Sequence, residues 1–138
     1  MGPAETAPPI VVLDTNVVLD WLLFGNPESD AVAAAIVAGE LRWVATRAMR
    51  DELARVLDYP QIVPRLAFYK LTDTDVLNAF DRHARLVAPA PAAGIRCKDP
   101  DDQIYIDLAV AHGARLFSKD GAVRAMRKRL AALGAELV

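Results

Sequence analysis

Four carboxylates stand at places in this chain where a fold can bring acids together: Asp14, Glu52, Asp102 and Asp120. Asp14 stops the apolar, mostly β-branched run Ile10-Val11-Val12-Leu13, which reads as a buried strand. Asp120 follows a second such run, in Leu116-Phe117-Ser118-Lys119-Asp120. An acid at the carboxyl end of a strand in an open α/β sheet lies on the edge where ligands bind. Gathered carboxylates repel one another, and a divalent cation with a preference for oxygen ligands offsets that repulsion. The chemistry expected of the four is therefore that of a metal site.

Each acid also has a purely structural reading. Asp14 can cap the helix after the first strand, as can Thr15 or Asn16, and Asp120 or Ser118 can cap the last helix. Glu52 sits at the edge of the apolar face formed by Met49, Leu53, Val56 and Leu57, where it reads as a solvated rim residue or as an acid held over a cleft. In Asp99-Pro100-Asp101-Asp102, Asp99 is an N-cap, Pro100 takes the first helical position and the acids suit a first turn. The helix they open is apolar nearly all round, which places Asp102 at the mouth of a buried element. Asp107 lies inside that apolar stretch and needs a partner, an arginine or a metal system.

The elements that would position these acids alternate in type. Strands are expected at residues 10–13, 41–45, 85–87 and 115–117, with a fifth, edge strand at 135–138. Helices are expected at 16–24, at 29–38 with Ser29 as cap, at 47–57 with Thr46 as cap, at 64–70, from the Thr72/Asp75 capping box to 83, at 99–111, and at 121–133 as one piece. Residues 88–94 read as a loop. Strands alternating with helices imply right-handed crossovers. The expected fold is a single-domain, three-layer α/β/α sandwich with a mainly parallel sheet of four to five strands. It spans residues 10–138, after a flexible arm at 1–9.

Bulk properties narrow the classes. The chain has 138 residues, enough for one domain with a core. Its apolar fraction of 54% argues against disorder. The single cysteine, Cys97, excludes an intramolecular disulfide and suits a reducing, cytoplasmic setting. No apolar run approaches the ~20 residues a bilayer span needs, so no membrane role is expected. The net charge of −2 gives no global attraction to nucleic acid. Local cations remain: Arg47 and Arg50 on the Glu52 helix, and Arg124, Arg127, Lys128 and Arg129 in the last helix. They read as solvated surface, or as contacts for RNA or for an acidic partner. His83 and His112 read as structural, and Cys97 as a small buried residue.

Taken in order, these residues resemble the PIN-domain nucleases. Leu13-Asp14-Thr15-Asn16 resembles the first motif of that family, and Glu52 with Leu53 and Val56-Leu57 its second. Asp102, seven residues before Ala109 in a segment ending His112-Gly113-Ala114, resembles the third, and Ser118-Lys119-Asp120 the fourth. Cys97-Lys98-Asp99-Pro100-Asp101-Asp102 is similar to the toxin–antitoxin (VapC-like) subgroup. The resemblance implies a Mg²⁺- or Mn²⁺-dependent ribonuclease in which Asp14, Glu52, Asp102 and Asp120 hold one or two ions. It implies that Asn16 and Ser118 orient those groups, and it matches Asp107 to an acid of the subgroup. It also implies an antitoxin protein as partner and a homodimer. Two other readings stand beside it. One is a non-catalytic PIN-like module that binds a protein. The other is a haloacid-dehalogenase-type phosphatase, which Asn16 disfavours because that chemistry wants a second Asp there.

Overall fold

A computed structural model describes residues 7–138; residues 1–6 of the expected arm lie outside the described residues. Five strands form one sheet: β1 (Ile10–Leu13), β2 (Arg42–Ala45), β3 (Arg85–Leu86), β4 (Arg115–Phe117) and β5 (Glu136–Leu137). Every pairing is parallel, and the spatial order is β3-β2-β1-β4-β5. Val11, Val12 and Leu13 are buried, as are Trp43, Val44 and Leu116. Such continuous apolar runs suit a sheet covered on both faces.

Eight helices connect the strands among the described residues: α1 (Thr15–Leu22), α2 (Asp30–Val37), α3 (Arg47–Leu57), α4 (Val63–Phe68), α5 (Asp73–His83), α6 (Gln103–His112), α7 (Gly121–Arg124) and α8 (Arg127–Ala132). Helices α1, α3 and α5 pack on one another, while α6 lies across β1 and β4. The chain moves one way from β1 to β2 to β3, then returns past β1 to lay down β4 and β5. Right-handed crossovers in opposite directions put helices on opposite faces. The result is the expected α/β sandwich. The reversal falls between β1 and β4, and the crevice at such a switch point is the usual ligand position. Asp14 and Ser118-Lys119-Asp120 lie just past the ends of those two strands, and the Asp14 N–H is bonded to the Phe117 carbonyl at 3.1 Å.

Local chemistry explains most boundaries. Thr46 caps α3, accepting the Met49 N–H at 3.4 Å. Thr72 and Asp75 form the reciprocal capping box of α5, with bonds of 3.1 and 2.9 Å. Gly113, at φ 58°, ends α6 in the left-handed conformation that a side chain disfavours.

Three expectations change. Ser29 does not cap α2 with its side chain: its hydroxyl donates to the Asn26 carbonyl at 2.7 Å, inside a 3₁₀ turn over Pro27–Ser29. The helix expected from Asp99 opens instead as a 3₁₀ turn, Pro100–Asp102, because Asp99 accepts the Asp101 N–H at 3.0 Å and tightens the start. The last helix breaks into α7 and α8 at Ala125-Met126, where the Met126 N–H takes the closer Val123 carbonyl at 2.9 Å. Val123, Met126 and Leu130 all remain buried, so the core stripe survives the break.

Candidate active site

The four acids singled out by type and spacing meet in one cleft. Asp14, Thr15, Asn16, Glu52, Asp102, Tyr105 and Asp120 line a cavity of ≈ 290 Å³, together with Val56, Tyr59, Gln61 and Ile62. Each acid arrives on a different element. Asp14 follows β1, Glu52 projects from α3, Asp102 closes the turn before α6, and Asp120 precedes α7.

Asp14 is 3% exposed. Its Oδ1 accepts the Val17 N–H at 3.0 Å, and its Oδ2 accepts the hydroxyl of Ser118, itself 4% exposed. The capping and the site readings of Asp14 therefore hold at once, since each carboxylate oxygen has two lone pairs. Burial raises its pKa, and the bonds from Ser118 and Val17 only partly oppose that.

Glu52 is held by two hydroxyls. Thr15 Oγ1 and Tyr105 Oη both donate to Oε2, the latter at 2.6 Å, and the two hydroxyl oxygens lie 2.6 Å apart. Burial, reinforced by the neighbouring Glu52, raises the Tyr105 phenol and keeps it a donor. Neither hydroxyl follows from the sequence motifs. Tyr105 sits three residues beyond Asp102 on an apolar helix, where its ring reads as core.

Asp102 is the most perturbed acid. Burial, then the charges of Asp120 and Asp99, push its carboxyl up to about 7. Carboxylate oxygens of Asp99, Asp102 and Asp120 all lie within 4.8 Å of one another. Asp99 thus joins the cluster as well as capping the 3₁₀ turn, a second role that its capping position conceals. Asp102 Oδ2 is shielded from solvent and has no hydrogen-bond partner among the described residues. A buried acceptor without a donor is costly. An all-oxygen donor set with mutual repulsion and one unanswered lone pair fits a hard divalent cation.

Among the described residues, no lysine or arginine lines the cleft. Lys119 stands between Ser118 and Asp120 in sequence, yet its ammonium pairs with Asp20 on α1 at 2.5 Å and does not line the cleft.

The other sequence candidates lie elsewhere. Asp107 accepts the Ala93 N–H at 3.0 Å and the Gln103 amide at 2.9 Å, and Gln103 also bonds the Ile95 carbonyl and the Cys97 N–H. The partner of its half-buried carboxylate is therefore neither the expected arginine nor a metal system but this loop, which leads directly into Asp99. Arg47 pairs with Asp51, and Arg50 makes a two-pronged bond to Asp81 at 2.7 and 2.9 Å. Arg124 donates to the carbonyls of Ser118 and Val138, and Arg127 to that of Leu137. Lys128 is exposed. His83 stacks on Trp21 at 5.2 Å between ring centroids, and Cys97 is buried with its thiol pushed up by burial.

A family model described as the PIN domain matches residues 10–117. The chain belongs to the PIN-domain family. The matched stretch ends with β4, three residues short of Asp120, and the fold carries that last acid into the same cleft. Membership of the PIN family and an acidic cluster together point to a nuclease. A comparison with curated proteins gives no match. Among the described residues, no helix is long and apolar enough to cross a membrane.

Proposed function

We propose that this PIN-domain protein is a metal-dependent endoribonuclease and the toxin component of a toxin–antitoxin pair. The observation that carries the nuclease reading is the meeting of Asp14, Glu52, Asp102 and Asp120 in one cleft with Asp102 Oδ2 unpartnered. Asp14, Glu52, Asp102 and Asp120 would hold Mg²⁺ or Mn²⁺, and Asp99, whose carboxylate lies close to those of Asp102 and Asp120, would add to the set. A bound divalent ion supplies a water of lowered pKa and offsets the charge of a phosphodiester. The chain's own groups do the positioning. Ser118 holds Asp14, Thr15 and Tyr105 hold Glu52, and Asn16, at the cleft lining, would orient water or a neighbouring acid.

The toxin role rests on the similarity of Cys97 to Asp102 to that subgroup, and with it come an antitoxin partner, a homodimer and a cytoplasmic setting. Arg47, Arg50, Arg124 and Lys128 are proposed contacts for RNA or for that partner, of which Lys128 is the most available.

The purified protein should cut RNA with Mg²⁺ or Mn²⁺ and stop with EDTA. Millimolar Mn²⁺ should also raise the melting temperature by mass action. No cutting and no thermal shift would favour a non-catalytic protein-binding module instead. Growth arrest on expression, relieved by the product of an adjacent small reading frame, tests the toxin role.

A further inference from the structure

Glu52 opens a series of three residues along one side of α3 and the turn after it. Val56 and Tyr59 follow at i+4 and i+7, the spacing of one helical face, and all three line the cleft. Tyr59 lies in the turn just past the end of α3, two residues beyond Leu57. Its side chain is 40% exposed. Among the described residues the other exposed aromatics stack on each other: Phe68 on Tyr69 at 5.1 Å, and Tyr69 on Phe24 at 6.4 Å. Tyr59 has no aromatic neighbour of that kind. Its backbone is nonetheless fixed. The Tyr59 N–H bonds the Val56 carbonyl at 3.0 Å, and the Tyr59 carbonyl receives the N–H groups of Ile62 and Val63 at 2.8 and 3.0 Å. Pro60 stiffens the same turn. An unstacked ring on a fixed backbone thus borders a cavity that is also lined by carboxylates. Gln61, two residues on, brings an amide with both a donor and an acceptor to the same rim.

We propose that Tyr59 is the platform on which a nucleobase next to the scissile phosphate stacks, with Gln61 at the base edge. This rests on the ribonuclease reading and adds the residues of this chain that would hold the strand beside the cut. The carboxylate side of the cleft repels a phosphate until a cation is present, so binding energy for the strand must come from elsewhere in the cavity. The Tyr59–Val56–Ile62 wall is the part able to supply it. A base can lie on an aromatic face only when it is not stacked within a duplex, and recognition of RNA by aromatic rings is directed at single strands, loops and bulges. Stacking is tolerant of base identity, so the cut sites would follow strand accessibility first and the Gln61 contact second.

The test uses a mixed-sequence single-stranded RNA oligonucleotide, the same strand annealed to its complement, and versions lacking one base beside each mapped cut. Binding is read by fluorescence anisotropy on an Asp14→Asn background, and kcat and KM are read on the active protein. Tyr59→Ala should weaken binding to the intact single strand by about ten-fold, the scale of one lost base stack. The loss should fall mainly in KM, and Tyr59→Phe should stay within about two-fold of wild type. Removing the flanking base should cost the wild type the same factor and cost Tyr59→Ala nothing more. The duplex should be bound and cut more weakly by about the same factor or more. Gln61→Ala should shift the distribution of cut sites. Equal binding by Tyr59→Ala and wild type, or an equal loss on intact and base-deleted strands, would overturn the platform. A wild type that binds single strands but cuts none with either metal would defeat the ribonuclease reading and leave the platform to be judged by anisotropy. Absence of any RNA binding would defeat both.

Discussion

The acidic cleft and the arginine-rich C-terminal segment are both dense in like charge, and the fold treats them in opposite ways. Around the cleft, Asp99, Asp102 and Asp120 are pressed together, Asp102 is pushed up to about 7, and one of its oxygens is left without a donor. In the C-terminal segment, Arg124 and Arg127 spend their guanidinium protons on the carbonyls of Ser118, Leu137 and Val138. Those bonds tie the turn after β4 and the end of the edge strand β5 to α7 and α8. A charge cluster that the chain has satisfied by itself is framework. One left unsatisfied, at a switch point of the sheet, is where a ligand belongs.

Substitutions on the two sides should therefore part company. The largest effect is expected from Asp14→Asn, which should reduce RNA cleavage by more than about a hundred-fold, because even residues one step removed from a metal cost ten- to a hundred-fold. Full activity in that variant would remove Asp14 from the site. Asp107→Ala lies outside the cleft but releases the Ala93–Cys97 loop that leads into Asp99. It should destabilise by about 2 kcal/mol, the cost of orphaning partly buried donors, read from urea or thermal unfolding.

Asp102→Asn should do the reverse to stability. The folded protein holds the Asp102 proton up to about pH 7, whereas the unfolded chain releases it near 3.8. Between those values the native state binds more protons, so metal-free stability falls as pH rises through the window and stays low above it. Asp102 is partly exposed, and solvent screening brings the effect down to on the order of 1 kcal/mol. In EDTA at pH 8, Asp102→Asn should therefore melt a few degrees higher than wild type, with a flatter profile between pH 4 and 7, while losing cleavage. A lower melting temperature for this variant would mean that Asp102 is a framework acid after all.

Arg124→Ala should lower the melting temperature through two lost hydrogen bonds, about 1 kcal/mol in sum, and leave the thermal shift with Mn²⁺ intact. Lys128→Ala should change stability by no more than about 0.5 kcal/mol. A reduced affinity for RNA in that variant would make the C-terminal helices part of the substrate surface, and the contrast between the two regions would narrow.

The fold was legible because its signals are local. Apolar runs of strand length, the Thr46 cap, the Thr72/Asp75 box and Gly113 each act within a few residues, so their effect can be read in one dimension. The misreadings have the same origin. Ser29 has the side chain of a cap, but its hydroxyl had a nearer acceptor in the Asn26 carbonyl. The last helix keeps a helical stripe of Val123, Met126 and Leu130, and nothing in that stripe marks the turn at Ala125. In the site, the acids could be picked out by strand ends and motif spacing. The hydroxyls of Thr15 and Tyr105 could not, because their partner Glu52 is 37 and 53 residues away.

By itself the sequence determined the order of strands and helices, the parallel sandwich and the identity of the acids worth watching, since periodicity and capping are properties of neighbouring residues. Only the tertiary structure decided which charges remain uncompensated. That depends on which side chains from separate elements arrive at the same point. Lys119 went to Asp20, Arg50 to Asp81 and Arg124 to the backbone, and none of the three lines the cleft where the acids meet.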